Sequence, residues 1–333
     1  MRIAVIGAGS WGTTLANLLA AEGNEVHVWA YEPEVVESIN RDHVNQTFLA
    51  DSRLAETLVA HTELGEAAHR AELLVSATPS HVVRDVMSHL TADMAGQPPQ
   101  AVVSVSKGLE IDSLKTMTDV LGETFPGAPV VALSGPSFAQ EVYAHHPTAV
   151  VAASEDADAA HLVQRVFSTG YFRVYSSPDT LGVQLGGALK NVIAIAAGLL
   201  HGLHLGHNTL AALVTRGLAE LTRLGQTMGA DPMTFSGLTG MGDLVLTATG
   251  ALSRNRALGI ELAEGRGLDE ILARRRTVAE GVRTAKVAVQ LSEQSGVELP
   301  IAAEVANILF EGKRPDRAVR DLMDRELKPE HWR

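Results

Sequence analysis

Cysteine is absent from all 333 residues. That removes disulfides, thiolate catalysis and cysteine-based metal sites, and it agrees with a reducing cytoplasmic setting. Aromatic residues make up only 4% of the chain, so its cores must be built from the abundant Ala, Leu, Val and Gly, which suits close helix packing. Positive charge is also in deficit: 27 Lys and Arg against 39 Asp and Glu leave a formal net charge of -12. Such a surface repels nucleic acid and anionic membranes, and neither is expected as a partner. An anionic ligand would need a few basic residues to make a local positive site. Polar residues interrupt every apolar run before the roughly 20 residues of a membrane span, so no membrane insertion is expected. The opening "MRIAVIG" is too short, and breaks at glycine too soon, for the apolar region of a signal peptide. These exclusions leave a cytoplasmic, soluble protein.

What is present exceeds one comfortable core, so two domains are expected. The runs "RIAVIG", "EVHVWA", "ELLVSAT", "AVVSVSKG", "PVVALSGP", "TAVVAAS" and "YFRVYSS" are β-branched and bounded by turn residues. Helical stretches separate most of them, such as "SWGTTLANLLAAEG" with Leu15, Leu18 and Leu19 at helical spacing. Continuous apolar strands alternating with helices predict a parallel sheet covered on both faces, a doubly wound Rossmann-like α/β domain. Near Pro178 the pattern turns to helices alone. The expected division is therefore a doubly wound domain over 1–178 and an all-helical domain over 179–333. No internal repeat or low-complexity segment interrupts either half.

Between the first strand and first helix, "GAGSWG" sets Gly7, Gly9 and Gly12 in the spacing G-x-G-x-x-G. A dinucleotide site needs the first glycine for a tight turn and the second for approach of the pyrophosphate. The third allows helix and strand to pack closely, and the helix N-terminus supplies amides and a positive dipole. Strand, glycines, helix and second strand fall in register, which favours cofactor binding over a bare turn. Ser10 and Trp11 lie within the loop, with their amides expected at the phosphates; Trp11 also suits a core anchor.

Ligands of such sheets bind beyond the carboxyl ends of the strands, where "SATPSH", "SVSKGLE" and "LSGPSFAQE" lie. There Lys107 is placed to meet an anion, though a solvated loop lysine has the same local sequence. Gly135 and Ser137 bracket Pro136 in a rigid turn. Lys190 stands in "LGVQLGGALKNVIAIAAGLL", apolar on nearly every face, and a lysine in a buried helix is costly unless paired or used. Gly186, Gly187 and Ala194 nearby would leave room for a ligand at its ammonium. Burial would move that group toward the working range of an acid–base catalyst, and an anionic neighbour would oppose the change. A structural lysine paired with a buried carboxylate explains the segment equally well. Asp243 follows in a Gly-rich stretch, and Ser253, Arg254 and Asn255 in "SRNR" offer a guanidinium fork and neutral donors for an oxyanion such as phosphate, or a plain polar helix start. His201, His204 and His207 invite a metal reading. Intervening glycines and the lack of a completing carboxylate favour a loop or helix end, so no metal is expected.

Together these segments resemble the bacterial-type NAD(P)-dependent sn-glycerol-3-phosphate dehydrogenases. "GAGSWGTTLA", "SKGLE", "SGPSFAQEV", "ALKNVIAIAAGL", "GDLVLTATGALSRNR" and "TVAEGV" occur in that family's order and spacing over essentially the whole chain. The resemblance implies a Rossmann domain followed by a helical substrate domain. It also implies reversible reduction of dihydroxyacetone phosphate to sn-glycerol 3-phosphate with NADP or NAD, feeding phospholipid synthesis. It makes Lys190 the acid–base residue and sets Lys107, Gly135, Ser137, Asp243, Ser253, Arg254 and Asn255 along the substrate. It places Ser10, Trp11, Ala139, Val278 and Glu280 at the cofactor, with Lys107 and Arg254 shared. A homodimer is carried as the expected assembly.

Two stretches depart from the family pattern. The position after the second strand, often Arg or His, is Tyr31, and "DGLGLGDN" is replaced by "HGLHLGHN". In "WAYEPE", Glu32 lies at the distance of a ribose-binding acid, and Arg41 is near enough in sequence to swing toward a 2′-phosphate. Dual use of NADPH and NADH is the expectation. A reductase of another small acid, or a cofactor sensor without turnover, would share the plan but would not need "SRNR" or Lys190 with Asp243.

Overall fold

Residues 1–93, 98–274 and 279–330 are described by the computed structural model. The chain divides into two units: residues Met1–Glu110 with Lys115–Thr180, and Leu181–Arg333 with Ile111–Leu114.

The first unit holds every strand among the described residues. These are β1 (Arg2–Ile6), β2 (Glu25–Trp29), β3 (Val44–Asn45), β4 (Leu49–Arg53), β5 (Val59–His61), β6 (Leu73–Ser76), β7 (Ala101–Ser104), β8 (Val130–Ser134), β9 (Thr148–Ala153) and β10 (Phe172–Ser177). Its helices are α1 (Ser10–Ala21), α2 (Pro33–Asp42), α3 (Leu64–Ala68), α4 (Val83–Asp93), α5 (Met117–Thr124), α6 (Ala139–Tyr143) and α7 (Ala157–Phe167). Eight strands form one sheet in the order β10-β9-β8-β7-β6-β1-β2-β5, and β3 and β4 make a separate small ladder. Alternate residues of β1 serve two cores, which is why the run is apolar throughout. Ile3 and Val5 face a layer with Leu15, Leu19, Val163 and Phe167. Ala4 and Ile6 face Leu74, Met87, Leu90 and Leu121.

The sheet is not the wholly parallel one that the strand pattern predicts. β9 runs antiparallel to β8, with Ala132 opposite Ala153, and β10 then runs parallel to β9. The strands β3, β4 and β5 are also additions to the sequence reading, being short and partly polar. Because β1 lies between β2 and β6, the chain leaves it in opposite directions. That makes a topological switch point at its carboxyl end.

The second unit is helical among the described residues: α8 (Thr180–Gly202), α9 (His207–Thr227), α10 (Pro232–Phe235), a π turn over Leu238–Gly242, α11 (Asp243–Thr249), α12 (Arg254–Ala263), α13 (Leu268–Ala273), α14 (Glu280–Ser295), α15 (Pro300–Phe310) and α16 (Pro315–Met323). α8 corrects the reading that no apolar stretch approaches membrane-spanning length. By length and composition this helix suffices, and the chain stays helical through its polar residues. Every residue from Gly182 to Leu200 is buried, and the π turn, α9, α12 and α14 each approach α8 closely.

Candidate active site

The glycine loop closes at the switch point. Gly7 donates its N–H to the Trp29 carbonyl at 3.0 Å and has φ +119°. A Cβ at Gly12 would collide with the carbonyl oxygen of Gly7 and reach 3.0 Å from the Ala77 side chain. Both positions must be glycine for α1 to start this close to β1. Gly9 is the N-cap of α1 and contributes no side-chain cap, so the first-turn amides are left to whatever docks there. The hydroxyl of Ser10 donates to the Phe48 carbonyl at 2.5 Å, which leaves its backbone for the loop's ligand. Trp11 packs its ring toward Phe172, with centroids 6.3 Å apart. Its buried Nε1 has no acceptor among the described residues.

Beyond the sheet's other strands, Lys107 donates from Nζ to the Gly135 carbonyl at 2.8 Å. The Ser137 hydroxyl donates to the same carbonyl at 3.0 Å. Lys107, Gly135 and Ser137, from two loops, are therefore brought together. Ala139 opens α6 beside α1, where the Thr14 hydroxyl reaches both the Ser10 carbonyl at 2.9 Å and the Ala139 carbonyl at 3.3 Å. Tyr31 follows β2 with its ring 80% exposed and edge-on to Trp29 at 6.4 Å. Glu32 is the backbone N-cap of α2. Arg41 spends its guanidinium along its own helix, on Glu37 at 2.5 Å and Asp42 at 2.8 Å, rather than toward the end of β2.

In the helical unit, Lys190 is 5% and Asp243 1% exposed. They form a direct ion pair between Nζ and Oδ1. Lys190 also donates to the Thr247 hydroxyl at 2.7 Å, and that hydroxyl donates to the Asp243 carbonyl at 2.6 Å. The room that Gly186 was expected to leave for a ligand is taken by the π turn. A Cβ there would come within 2.6 Å of the Thr239 carbonyl oxygen. That close packing delivers Asp243, first residue of α11, to the lysine. Burial alone disfavours an ammonium, while a carboxylate and a hydroxyl held against it favour one. The arrangement can present a positive, proton-bearing nitrogen in a site largely without water. Thr247 was missed by sequence reasoning, although its i+4 spacing from Asp243 places both on one helix face.

Ser253 caps α12 through its hydroxyl, which accepts the Arg256 N–H at 3.2 Å, so the bland reading of "SRNR" as a helix start holds for that residue. Arg254 is exposed at the first position of the same helix. Asn255 is buried and engaged on both ends of its amide: it donates to Asn191 Oδ1 at 2.9 Å and accepts from the Gly281 N–H at 3.0 Å. Glu280 is the first residue of α14. Val278 lies outside the described residues, as do Arg275 and Arg276 of the "ARRR" run. His201 lies in α8's last turn, His204 adopts φ +56° in the connection, and His207 opens α9. No group of metal-binding side chains is found among the described residues.

A glycine-turn nucleotide loop at a switch point, in a chain whose helical unit holds a buried lysine–carboxylate pair, points to a nicotinamide-nucleotide-dependent oxidoreductase. Two family models extend that definition along the chain: NAD-dependent glycerol-3-phosphate dehydrogenase N-terminus over residues 2–160 and the same family's C-terminus over 179–320. The chain belongs to the NAD-dependent glycerol-3-phosphate dehydrogenase family. A glycerol-3-phosphate dehydrogenase (NAD(P)+) of Geobacter metallireducens is 54% identical, over 99% of this chain and 98% of the relative. The crystal structure of glycerol-3-phosphate dehydrogenase from Coxiella burnetii matches with a TM-score of 0.93 at 35% identity, covering 97% of this chain and 99% of that one. The Saccharomyces cerevisiae enzyme matches with a TM-score of 0.83 at 25% identity, over 98% and 99% of the two chains.

Proposed function

We propose that this chain catalyses the reversible reduction of dihydroxyacetone phosphate to sn-glycerol 3-phosphate with NADPH or NADH, supplying glycerol phosphate for glycerophospholipid synthesis. The observation that carries the reading is the buried Lys190–Asp243–Thr247 group in a chain matched along its length by this family. Residues 1–178 act as the cofactor-binding domain and 179–333 as the substrate domain, working in the cytoplasm without membrane insertion, nucleic acid or a metal. The assembly expected is a homodimer, to be read by sedimentation.

The bound nicotinamide supplies the hydride. Gly7, Gly9, Ser10, Trp11 and Gly12 fit a pyrophosphate, because their glycines leave no side chain over the amides at the start of α1. Tyr31 serves the adenosine end, and Lys107, Ala139, Arg254, Val278 and Glu280 take the cofactor roles of the family pattern. Lys107, Gly135, Ser137, Ser253, Arg254 and Asn255 serve the substrate, with Arg254 on its phosphate. Lys190 gives a proton from Nζ to the alkoxide oxygen and stabilises its developing charge. Asp243 and Thr247 hold that nitrogen in place. In the reverse direction the neutral amine takes the proton back.

The test is loss of reduced-nicotinamide absorbance on adding dihydroxyacetone phosphate to enzyme with NADPH or NADH. Turnover with either cofactor is the expected result; none with both removes the reading.

A further inference from the structure

Three residues assigned to the reaction each have a neighbour in one hydrogen-bonded chain. Lys190 is followed by Asn191 on α8, Arg254 by Asn255 on α12, and Glu280 by Gly281 on α14. Asn191 Nδ2 donates to the Gly187 carbonyl of its own helix at 3.4 Å, which turns its Oδ1 outward. That oxygen accepts from Asn255 Nδ2 at 2.9 Å. Asn255 Oδ1 then accepts the backbone N–H of Gly281 at 3.0 Å. Asn191 and Asn255 are 6% and 7% exposed. Turning the Asn255 amide over would set nitrogen against the Gly281 N–H and oxygen against Asn191 Oδ1, so its orientation is determined.

The chain repairs a local fault in the sequence. α14 begins after Ala279, a residue with no side-chain acceptor for the first orphan amides of a helix. Asn255 supplies that acceptor from another helix. Gly281 is shaped for the contact: a Cβ there would lie 2.7 Å from both the Asn191 carbonyl oxygen and Asn255 Oδ1. The start of α14 is therefore held by an amide whose direction is set from the lysine-bearing helix.

We propose that Asn191 is a positioning residue for the cofactor segment: through Asn255 it fixes the start of α14, and with it Glu280, against the helix that carries Lys190. The proposal rests on the cofactor role given to Glu280 above. NADPH dissociation constants, measured without substrate, test it for wild type, Asn191→Ala, Asn255→Ala and the double variant. Loss of one buried hydrogen bond of ordinary net strength predicts that Asn191→Ala weakens NADPH about five- to tenfold. Asn255→Ala should weaken it at least as much. The double variant should be no weaker than Asn255→Ala, because residues acting in series are not additive.

Asn255→Asp keeps the acceptor for the Gly281 N–H and loses only the donor to Asn191, so its NADPH constant should lie closer to wild type than that of Asn255→Ala. A purely packing role would treat Asn255→Ala and Asn255→Asp alike. An unchanged NADPH constant in Asn191→Ala, with only the KM for dihydroxyacetone phosphate raised, overturns the proposal, as do additive effects in the double variant. If Asn255→Ala fails to fold, the comparison of Asn191→Ala with wild type decides alone, since Gly281 keeps its acceptor there. A wild type that neither binds NADPH nor turns over removes the functional reading itself, a result distinct from variants that bind as the wild type does.

Discussion

Lys190 is buried, so the acid–base role proposed for it depends on Asp243 and Thr247 keeping the ammonium at one point. Lys190→Ala leaves the buried carboxylate without its cation and removes the proposed proton donor. Steady-state kinetics should show kcat lower by at least about 10²-fold, the smaller end for a positioned acid–base group, with the NADPH dissociation constant little changed. Retention of most of kcat would place proton transfer on another group. Arg254 stands exposed at the start of α12, where the phosphate role proposed for it would add a guanidinium to the positive end of a helix. Arg254→Ala should raise KM for dihydroxyacetone phosphate by roughly tenfold or more, the value of one charge-assisted contact. It should also narrow the preference over unphosphorylated dihydroxyacetone; equal losses for both substrates would refute the phosphate role. At position 31 the ring is 80% exposed and neutral, while Arg41 is paired with Glu37 and Asp42. Tyr31→Arg should therefore shift the kcat/KM ratio toward NADPH by about tenfold. An unmoved ratio would show that another residue reads the 2′ position.

Among the elements, α15 carries an unusual anchor. Glu220 of α9, 2% exposed, accepts the N–H groups of Ile301 at 2.8 Å and Ala302 at 3.3 Å at the start of that helix. Burial pushes its carboxyl up to about 7, against the pull of those two amides and of Arg223 and Arg325. A raised carboxyl binds its proton more tightly in the folded state. Its contribution to stability is greatest below the unfolded value of 4.5 and falls as pH rises toward about 7. Glu220→Gln, which keeps one acceptor and cannot ionise, should gain stability relative to wild type between pH 5 and pH 7.5 in denaturant titrations. A pH-independent difference would mean that Glu220 is ionised throughout.

Much at this scale was legible. β1, the glycine turn and α1 could be read because each signal is local and consecutive. The direction of β9 could not, since "TAVVAA" is as apolar read either way and only its partner β8 sets its sense. Gly186 was legible as a gap but not as one filled by the backbone of Thr239. The Lys190–Asp243 contact spans 53 positions and the Asn191–Asn255 contact 64, so no local periodicity announces either.

For the whole molecule, a net charge of -12 confines attraction for an anionic cofactor and substrate to a few basic groups, so binding energy must come from local geometry. NADPH held only by the folded chain should raise the thermal midpoint, by an amount equivalent to about 2.7 kcal/mol at a hundred times its dissociation constant. A midpoint indifferent to NADPH would exclude binding to the native state. The position of β1 carries a further consequence, one of time. Its first ladder, Ile3 with Val26, is within reach early in synthesis, but its second pairs Ile3 with Leu73. At ribosomal rates of roughly 5–20 residues per second, this interior strand of the sheet waits several seconds with one edge bare. Until β6 emerges, the nascent chain exposes an apolar strand edge of the kind chaperones guard.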